Sequence, residues 1–344
     1  MMSPRVAFWT SAFEADMEAI SSEVALLLRR FPESVRWGLS HRHWALLNRQ
    51  GFCLHPKLHL LFRAATRLLE PLFEINHVFG SVGDWFYLQG QRRRPTVLTT
   101  AAASAPVERE LLERVDRFVV EHPGGRDDLR ALGIGDDRIR LVMPPVDLQR
   151  FVPTNKPSDP FTVLFASSPE RTDWLDARGL PAILDAASLR PNMRFRLLWR
   201  PWGDSLASVR EQIEQRGLQN VDLVVGRVAD MSAEYSRSHV TVAPFVDINR
   251  CKPMPNSLIE SLACGRPVIC SPLVGLAPLV TERHAGFVCE PCGSGLADAL
   301  DRAASDWSSC SQHARQLAET HFGQESFVSG YQQIYGELIG RSSK

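Results

Sequence analysis

The sequence predicts an α/β protein built from two doubly wound, parallel-sheet domains with a cleft between them. Short apolar runs alternate with longer helix-periodic stretches along the whole chain, the pattern of parallel strands joined by crossover helices. The stretch "VDLQRFVPTNKPSDP" (Val146–Pro160) has three prolines and little periodicity, and reads as a linker between two such series. The length, 344 residues, suits two domains better than one.

In the first series "RVAFWT" (Arg5–Thr10) reads as a strand and "MEAISSEVALLLRRF" as an amphipathic helix. "NHVFG" and "PTVLTT" are strands separated by a helix-like stretch. "ERELLERVD" is a helix, "RFVVE" a strand and "GRDDLRALG" a helix closed by Gly133, before "IRLVMPP" ends this half. The second series runs through the strands "FTVLFAS", "FRLLWR", "VDLVVG", "HVTVAPF" and "PVICSP". Between them lie the helices "LPAILDAASL", "LASVREQIEQRG", "DMSAEYSRS" and one around Glu260. Two helical stretches, "GLADALDRAASDW" and "ESFVSGYQQIYGELI", finish the chain.

Lys plus Arg equals Asp plus Glu at 39 each, so no global field draws the chain to nucleic acid. Seven scattered cysteines and a start, "MMSPRVAFWT", without a charged leader fit a reducing, cytoplasmic setting. The one C-x-x-C, Cys289 and Cys292, lacks a second pair, so two buried thiols are expected rather than a metal site. No apolar run reaches the roughly 20 residues that cross a bilayer. The nearest, "LHLLFRAATRLLEPLF" (Leu58–Phe73), reads as an amphipathic helix that packs on the core. Its alternative is peripheral contact with the inner face of a membrane, helped by Lys57, Arg63 and Arg67. Arg92, Arg93 and Arg94 read as a solvated connection or as contacts to an anionic head group.

The dinucleotide, P-loop, zinc-protease and nucleophile-elbow motifs are all missing. What remains is the strand–loop–helix unit "VAPFVDINRCKPMPNSLIESLACGRPVICSP", which places a helix start beside a strand's carboxyl end. Asn256 or Ser257 would cap that helix, and first-turn amides near Ser257 to Ile259 would favour a phosphate. Glu260 has two readings: it holds a ribose diol, or it completes a Ser257-x-x-Glu260 capping box.

"PNSLIESLACGRPVICSPLVGLAPLV" resembles the donor-binding signature of the GT-B glycosyltransferases of family 4, and the resemblance covers most of the chain. "IRLVMPPVDLQRF", "DARGLPAILDAASL", "NVDLVVGRV" and "FGQESFVSGYQQIYGEL" are similar, in order, to further family segments. It implies an acceptor-side domain at 1–152, a donor domain at 153–322 and a helix at 323–344 that packs back on the first domain. Carried over, Glu260 binds the ribose, the backbone of Asn256, Ser257 and Leu258 the diphosphate, and Arg227 and Val228 flank the base. Arg178, at the family's Lys position, neutralises the leaving phosphate, with Arg200 assisting. Trp199 and Trp202 flank Arg200 as core or stacking residues. His77, Asp84 and Asp16 fall on the acceptor side; His77 has a satisfied structural role as its alternative and Asp84 simple helix capping.

Several positions depart from the family. Lys252 stands where a second Glu faces the transferred sugar, and its ammonium would donate to a sugar hydroxyl or pair with a donor carboxylate. Pro253 and Pro255 replace glycines and offer no N–H. Ala15 and Asp16 replace a Gly pair, Ala101 a pocket His, and Ser168 an Arg. The resemblance implies a retaining, metal-independent hexosyltransferase-like enzyme without a cofactor. A sugar would pass from a UDP- or GDP-sugar to a glycan or lipid-linked acceptor. The alternative is a catalytically impaired GT-B protein that binds nucleotide sugars or serves as a scaffold. A nucleotide-sugar hydrolase or epimerase is a third reading.

Overall fold

The computed structural model describes residues 3–14, 18–80, 84–89, 93–100, 109–248 and 251–342. They form two compact units. The first comprises Met1–Pro145, Asn249–Lys252 and Glu325–Lys344, and the second Val146–Ile248 and Pro253–Gln324.

The first unit contains β1 (Val6–Trp9), α1 (Ala19–Arg30), β2 (Val35–Leu39), β3 (Ala45–Asn48), β4 (Gly51–Leu54) and α2 (His59–Leu69). β5 (Ile75–Gly80), β6 (Thr96–Thr100), α3 (Arg109–Leu112), β7 (Arg117–Val120), α4 (Gly125–Ala131) and β8 (Ile139–Leu141) complete its N-terminal part. The sheet order is β3-β4-β2-β1-β5-β6-β7-β8, and β3 alone of these strands runs antiparallel to its neighbour. Successive residues of a strand face opposite sides, so β1 serves two cores. Val6 and Phe8 pack with α1 on one face, and Ala7 and Trp9 pack with Trp37, Phe62 and Phe118 on the other.

The second unit contains β9 (Thr162–Phe165), α5 (Leu180–Leu189), β10 (Arg194–Trp199), α6 (Ser205–Gln215), β11 (Val221–Val225), α7 (Met231–Ser236) and β12 (Val240–Ala243). It continues with α8 (Asn256–Ala263), β13 (Val268–Cys270), α9 (Ala277–Glu282), β14 (Gly286–Val288), α10 (Gly293–Ser305) and α11 (Trp307–His321). Its six strands are ordered β11-β10-β9-β12-β13-β14 and all pair in parallel. The last helix, α12 (Gln324–Ser342), places Phe327, Tyr331, Ile334, Tyr335 and Leu338 in the α1-side core of the first unit. That spacing is one stripe of a 3.6-residue period.

The stretch expected as a linker is held on the second unit. Arg266, with no exposed surface, donates to the Tyr235 carbonyl at 3.0 Å and the Asn155 carbonyl at 3.0 Å. Arg315 donates to the Phe151 carbonyl at 2.8 Å. Two thiols expected to be buried divide: Cys289 is buried, whereas Cys292 is exposed and its sulfur accepts from the Gly295 amide at the start of α10.

Candidate functional site

In an open parallel sheet, ligands bind beyond the carboxyl ends of strands where the strand order reverses. In the second unit that reversal falls between β9 and β12. Arg178 lies there. Its Nη1 donates to Ser167 Oγ, just past β9, at 2.9 Å, and its guanidinium lies 5.2 Å from the centre of the Phe245 ring, just past β12. The turn behind it requires Gly179, whose φ is +73° and whose added Cβ would sit 1.9 Å from the Pro244 carbonyl oxygen.

α8 begins on the same edge, after β12. Pro255 occupies its N-cap position and supplies no side-chain cap, so the expected Asn256 or Ser257 cap is not formed. The amides of Leu258 and Ile259 turn back to the Pro255 carbonyl, at 3.0 and 3.3 Å. The positive end of the helix dipole thus opens at Asn256 and Ser257.

Glu260 does not close the capping box. Its Oε2 accepts from the Tyr235 hydroxyl of α7 at 2.8 Å, which turns the carboxylate away from its own helix start. Burial pushes Glu260 up to about 7, against the opposing pull of the Tyr235 hydrogen bond and of the charges on Arg150 and Arg200. A carboxyl poised near neutrality accepts hydroxyl hydrogen bonds when ionised. Sequence reading missed Arg150 and Tyr235. Arg150 sits in the stretch read as a linker, 5.0 Å from the Phe151 ring centre and 3.9 Å from Asp230.

The remaining donor-side candidates cap neighbouring strands. Ser168 follows β9, and its carbonyl accepts from Trp202 Nε1 at 2.9 Å. Arg200 follows β10 and lies 4.9 Å from the Trp202 ring centre, so Trp202 links the two loops. Trp199 is core, its indole donating to Ser205 Oγ at 3.2 Å. Arg227 is exposed and Val228 half-buried in the loop after β11. The second unit therefore gathers Arg178, Ser168, Arg200, Arg227, Val228, Glu260 and the α8 start (Asn256, Ser257, Leu258) on one edge of one sheet.

The other candidates belong to the first unit. The Lys252 ammonium donates to Glu23 and lies 3.2 Å from Glu121, two acids with about 1% exposure. Burial opposes its charge, but Glu121 and Glu23 outweigh that and hold its pKa above the ordinary lysine value. Burial, and then Glu23, push Glu121 well above the carboxylate range. His77, expected to meet acceptor, has no exposed surface. Its Nδ1 is 2.6 Å from the Tyr335 hydroxyl and its Nε2 is 2.8 Å from Thr99 Oγ1. Burial keeps this imidazole neutral, far below the usual histidine range. Asp84 opens a short 3₁₀ turn, Asp84–Leu88. Asp16, Ala15, Arg92 and Ala101 lie outside the described residues. Among the described residues no cluster of three His, Cys, Asp or Glu side chains could hold a metal ion.

Two Rossmann-like units, with a final helix returned to the first, give the chain the GT-B fold. Residues 164–306 match the family model described as "Glycosyl transferases group 1". The chain is 24% identical over 276 residues to D-inositol 3-phosphate glycosyltransferase of Streptosporangium roseum, covering 75% of the chain and 59% of that relative. It is 25% identical to the enzyme of that name from Mycobacteroides abscessus, covering 73% and 55%. The chain thus spans somewhat over half the length of these curated relatives. Among solved structures, Anabaena HepE in complex with UDP and glucose superposes with a TM-score of 0.77 at 13% identity, covering 97% of this chain and 100% of that one. Sucrose-phosphate synthase from Thermosynechococcus elongatus superposes with a TM-score of 0.77 at 18% identity, covering 98% and 100%.

Proposed function

We propose that the chain is a retaining glycosyltransferase that moves a hexose from a nucleotide diphosphate sugar, of the UDP or GDP type, to a glycan or lipid-linked acceptor. The observation that carries this reading is the position of Arg178 at the strand-order reversal, on the sheet edge where the α8 start and Glu260 also lie. The Anabaena neighbour binds UDP and glucose on the same fold, and the curated relatives bear glycosyltransferase names, which supports a nucleotide-sugar donor.

In this mechanism the α8 amides and Arg178 hold the diphosphate, and Arg178 takes up the negative charge that grows on it as the glycosidic bond breaks. Glu260 accepts from the ribose hydroxyls, while Tyr235 fixes its orientation. The loop of Arg227 and Val228 flanks the base, and Arg200 adds positive potential. The cationic side chains and the helix start perform the charge neutralisation that a metal would otherwise provide. A donor phosphate oxygen serves as the base for the incoming hydroxyl. Lys252 is committed to Glu23 and Glu121 and His77 to Thr99 and Tyr335, so neither is given a chemical step.

The test is a thermal-shift screen with UDP-, GDP- and ADP-sugars, followed by transfer assays on glycan and lipid-linked acceptors. A donor at about a hundred times its Kd should add about 3 kcal/mol of stability. Arg178→Ala should lower transfer about a hundredfold to a thousandfold. Active wild type with indifferent Arg178→Ala and Glu260→Ala variants would sink the assignment. Donor binding without turnover on any acceptor would favour a nucleotide-sugar-binding subunit instead.

A further inference from the structure

The geometry points to the outer face of α2, together with the β3 edge, as a docking surface for an anionic lipid bilayer. Amphipathic helices of water-soluble proteins turn their apolar stripe to the core. α2 does so with Phe62 and Thr66, yet its opposite side is apolar as well. Leu60, Leu61 and Leu68 are 71%, 59% and 79% exposed. At 100° per residue they share one side with Ala64, roughly opposite Phe62. Leu72, just past α2, is exposed too.

The edge strand β3 extends the surface. Leu47 is 83% exposed and Trp44, which precedes β3, is 65% exposed. The Trp44 ring stacks on His55 at 5.2 Å, and His55 leads directly into the turn before α2. Trp44 is thereby held beside the start of the leucine face. Isolated exposed leucines call for no explanation, but a set of them on one helix with a neighbouring indole does.

Charge selects the occupant. From Ser34 to Leu69 the sequence contains no Asp or Glu, although the chain as a whole balances 39 acids with 39 bases. The same segment carries Arg36, Arg42, Arg49, Lys57, Arg63 and Arg67. Lys57, Arg63 and Arg67 lie on or beside the leucine helix, and Arg63 and Arg67 are exposed. Arg42 and His43 of this segment meet Glu18 and Glu14 at 4.0 and 3.0 Å, so the cations that select the occupant are those of the helix itself. Leucines that enter the acyl boundary, a tryptophan at head-group depth and Lys57, Arg63 and Arg67 along the helix match a bilayer rich in anionic lipid. The surface bears on the proposed lipid-linked acceptor, but vesicle binding tests it without turnover, so either can fail without the other.

The experiment is co-sedimentation of the full chain with phosphatidylcholine vesicles with and without phosphatidylglycerol, at low and high salt. Anionic vesicles should bind at least about tenfold more tightly than neutral ones, with the gain lost at high salt. Leu61→Ser with Leu68→Ser, and separately Lys57→Glu with Arg67→Glu, should each weaken binding by about tenfold or more. Leu273→Ser, at an exposed leucine of the second unit, should leave it unchanged. Equal binding to both vesicle types, no binding at all, or indifference to both double variants would overturn the proposal. So would a concentration-dependent dimer in sedimentation velocity that the leucine variant dissolves while vesicle binding persists, because the face would then belong to a second copy.

Discussion

Tyr235 donates its hydroxyl proton to Glu260 across 2.8 Å, joining α7 to α8 at the edge of the second sheet. The bond fixes a carboxylate that burial has raised to about 7. It also raises the phenol well above its ordinary value, with burial the larger cause. If the proposed ribose contact holds, the pair couples nucleotide recognition to pH.

Donor affinity should depend on Glu260 ionisation. Ribose hydroxyls are held better by the carboxylate, so donor Kd should worsen as pH falls through about 7. Glu260→Gln should flatten that profile and weaken binding about tenfold or more. Calorimetric titration of donor between mildly acidic and mildly alkaline pH checks this.

The same carboxyl has a signed effect on stability. Its folded pKa lies above the unfolded one, so the folded state holds the extra proton and stability declines as pH rises from about 4.5 to about 7. Above that window Glu260→Gln should be more stable than wild type by on the order of 2 kcal/mol, with little difference at the acidic end. Denaturant unfolding at two pH values measures it.

Arg178→Lys separates charge from shape. A lysine keeps the positive charge but lacks the planar fork that donates to Ser167 and, in the proposed mechanism, would reach a phosphate as well. Transfer should fall about tenfold to a hundredfold, against about a hundredfold to a thousandfold for Arg178→Ala, with Tm nearly unchanged in both.

Gly179→Ala should strike the same group through the backbone. Its Cβ would meet the Pro244 carbonyl at 1.9 Å in a φ of +73°, so unfolding free energy should drop by about 2 kcal/mol or more. Activity of the folded fraction should drop too, because Arg178 is the adjacent residue.

Lys252→Met would leave Glu23 and Glu121 buried without their cation. A cost of about 3–5 kcal/mol is expected. Adding Glu121→Gln should recover part of it, which chemical denaturation of both variants resolves. A variant as stable as wild type would show that the cluster carries no net stabilisation.

The second unit was far more legible than the first. Its strands are short apolar runs such as "VTVA" that survive burial on both faces, and the α8 segment carried a recognisable pattern around Glu260. The stretch from Val35 to Leu54 was not read as strands, because "VRWGL", "ALLN" and "GFCL" are brief and interrupted by glycine, histidine and arginine. α11 escaped because "WSSCSQHARQLAETH" is polar over most of its surface and buries few residues. At the site, local sequence offered a capping box to Glu260, but a tyrosine 25 positions earlier claimed the carboxylate. Such a choice is made by tertiary contact and leaves no local trace. Likewise Lys252 gave no sign in sequence that Glu23 and Glu121 would receive it.

His77 and Tyr335 are 258 positions apart, yet they meet inside one core. At about 5–20 residues per second, a ribosome needs roughly 13–50 s to make the intervening chain. Through that interval the β1–β8 sheet has one face lacking α12, and Phe8, Phe79 and Val97 await their partners. The second unit is synthesised wholly within the same interval. The unit whose synthesis begins first is therefore the last to have all its core residues made, because its final helix follows the whole of the second unit.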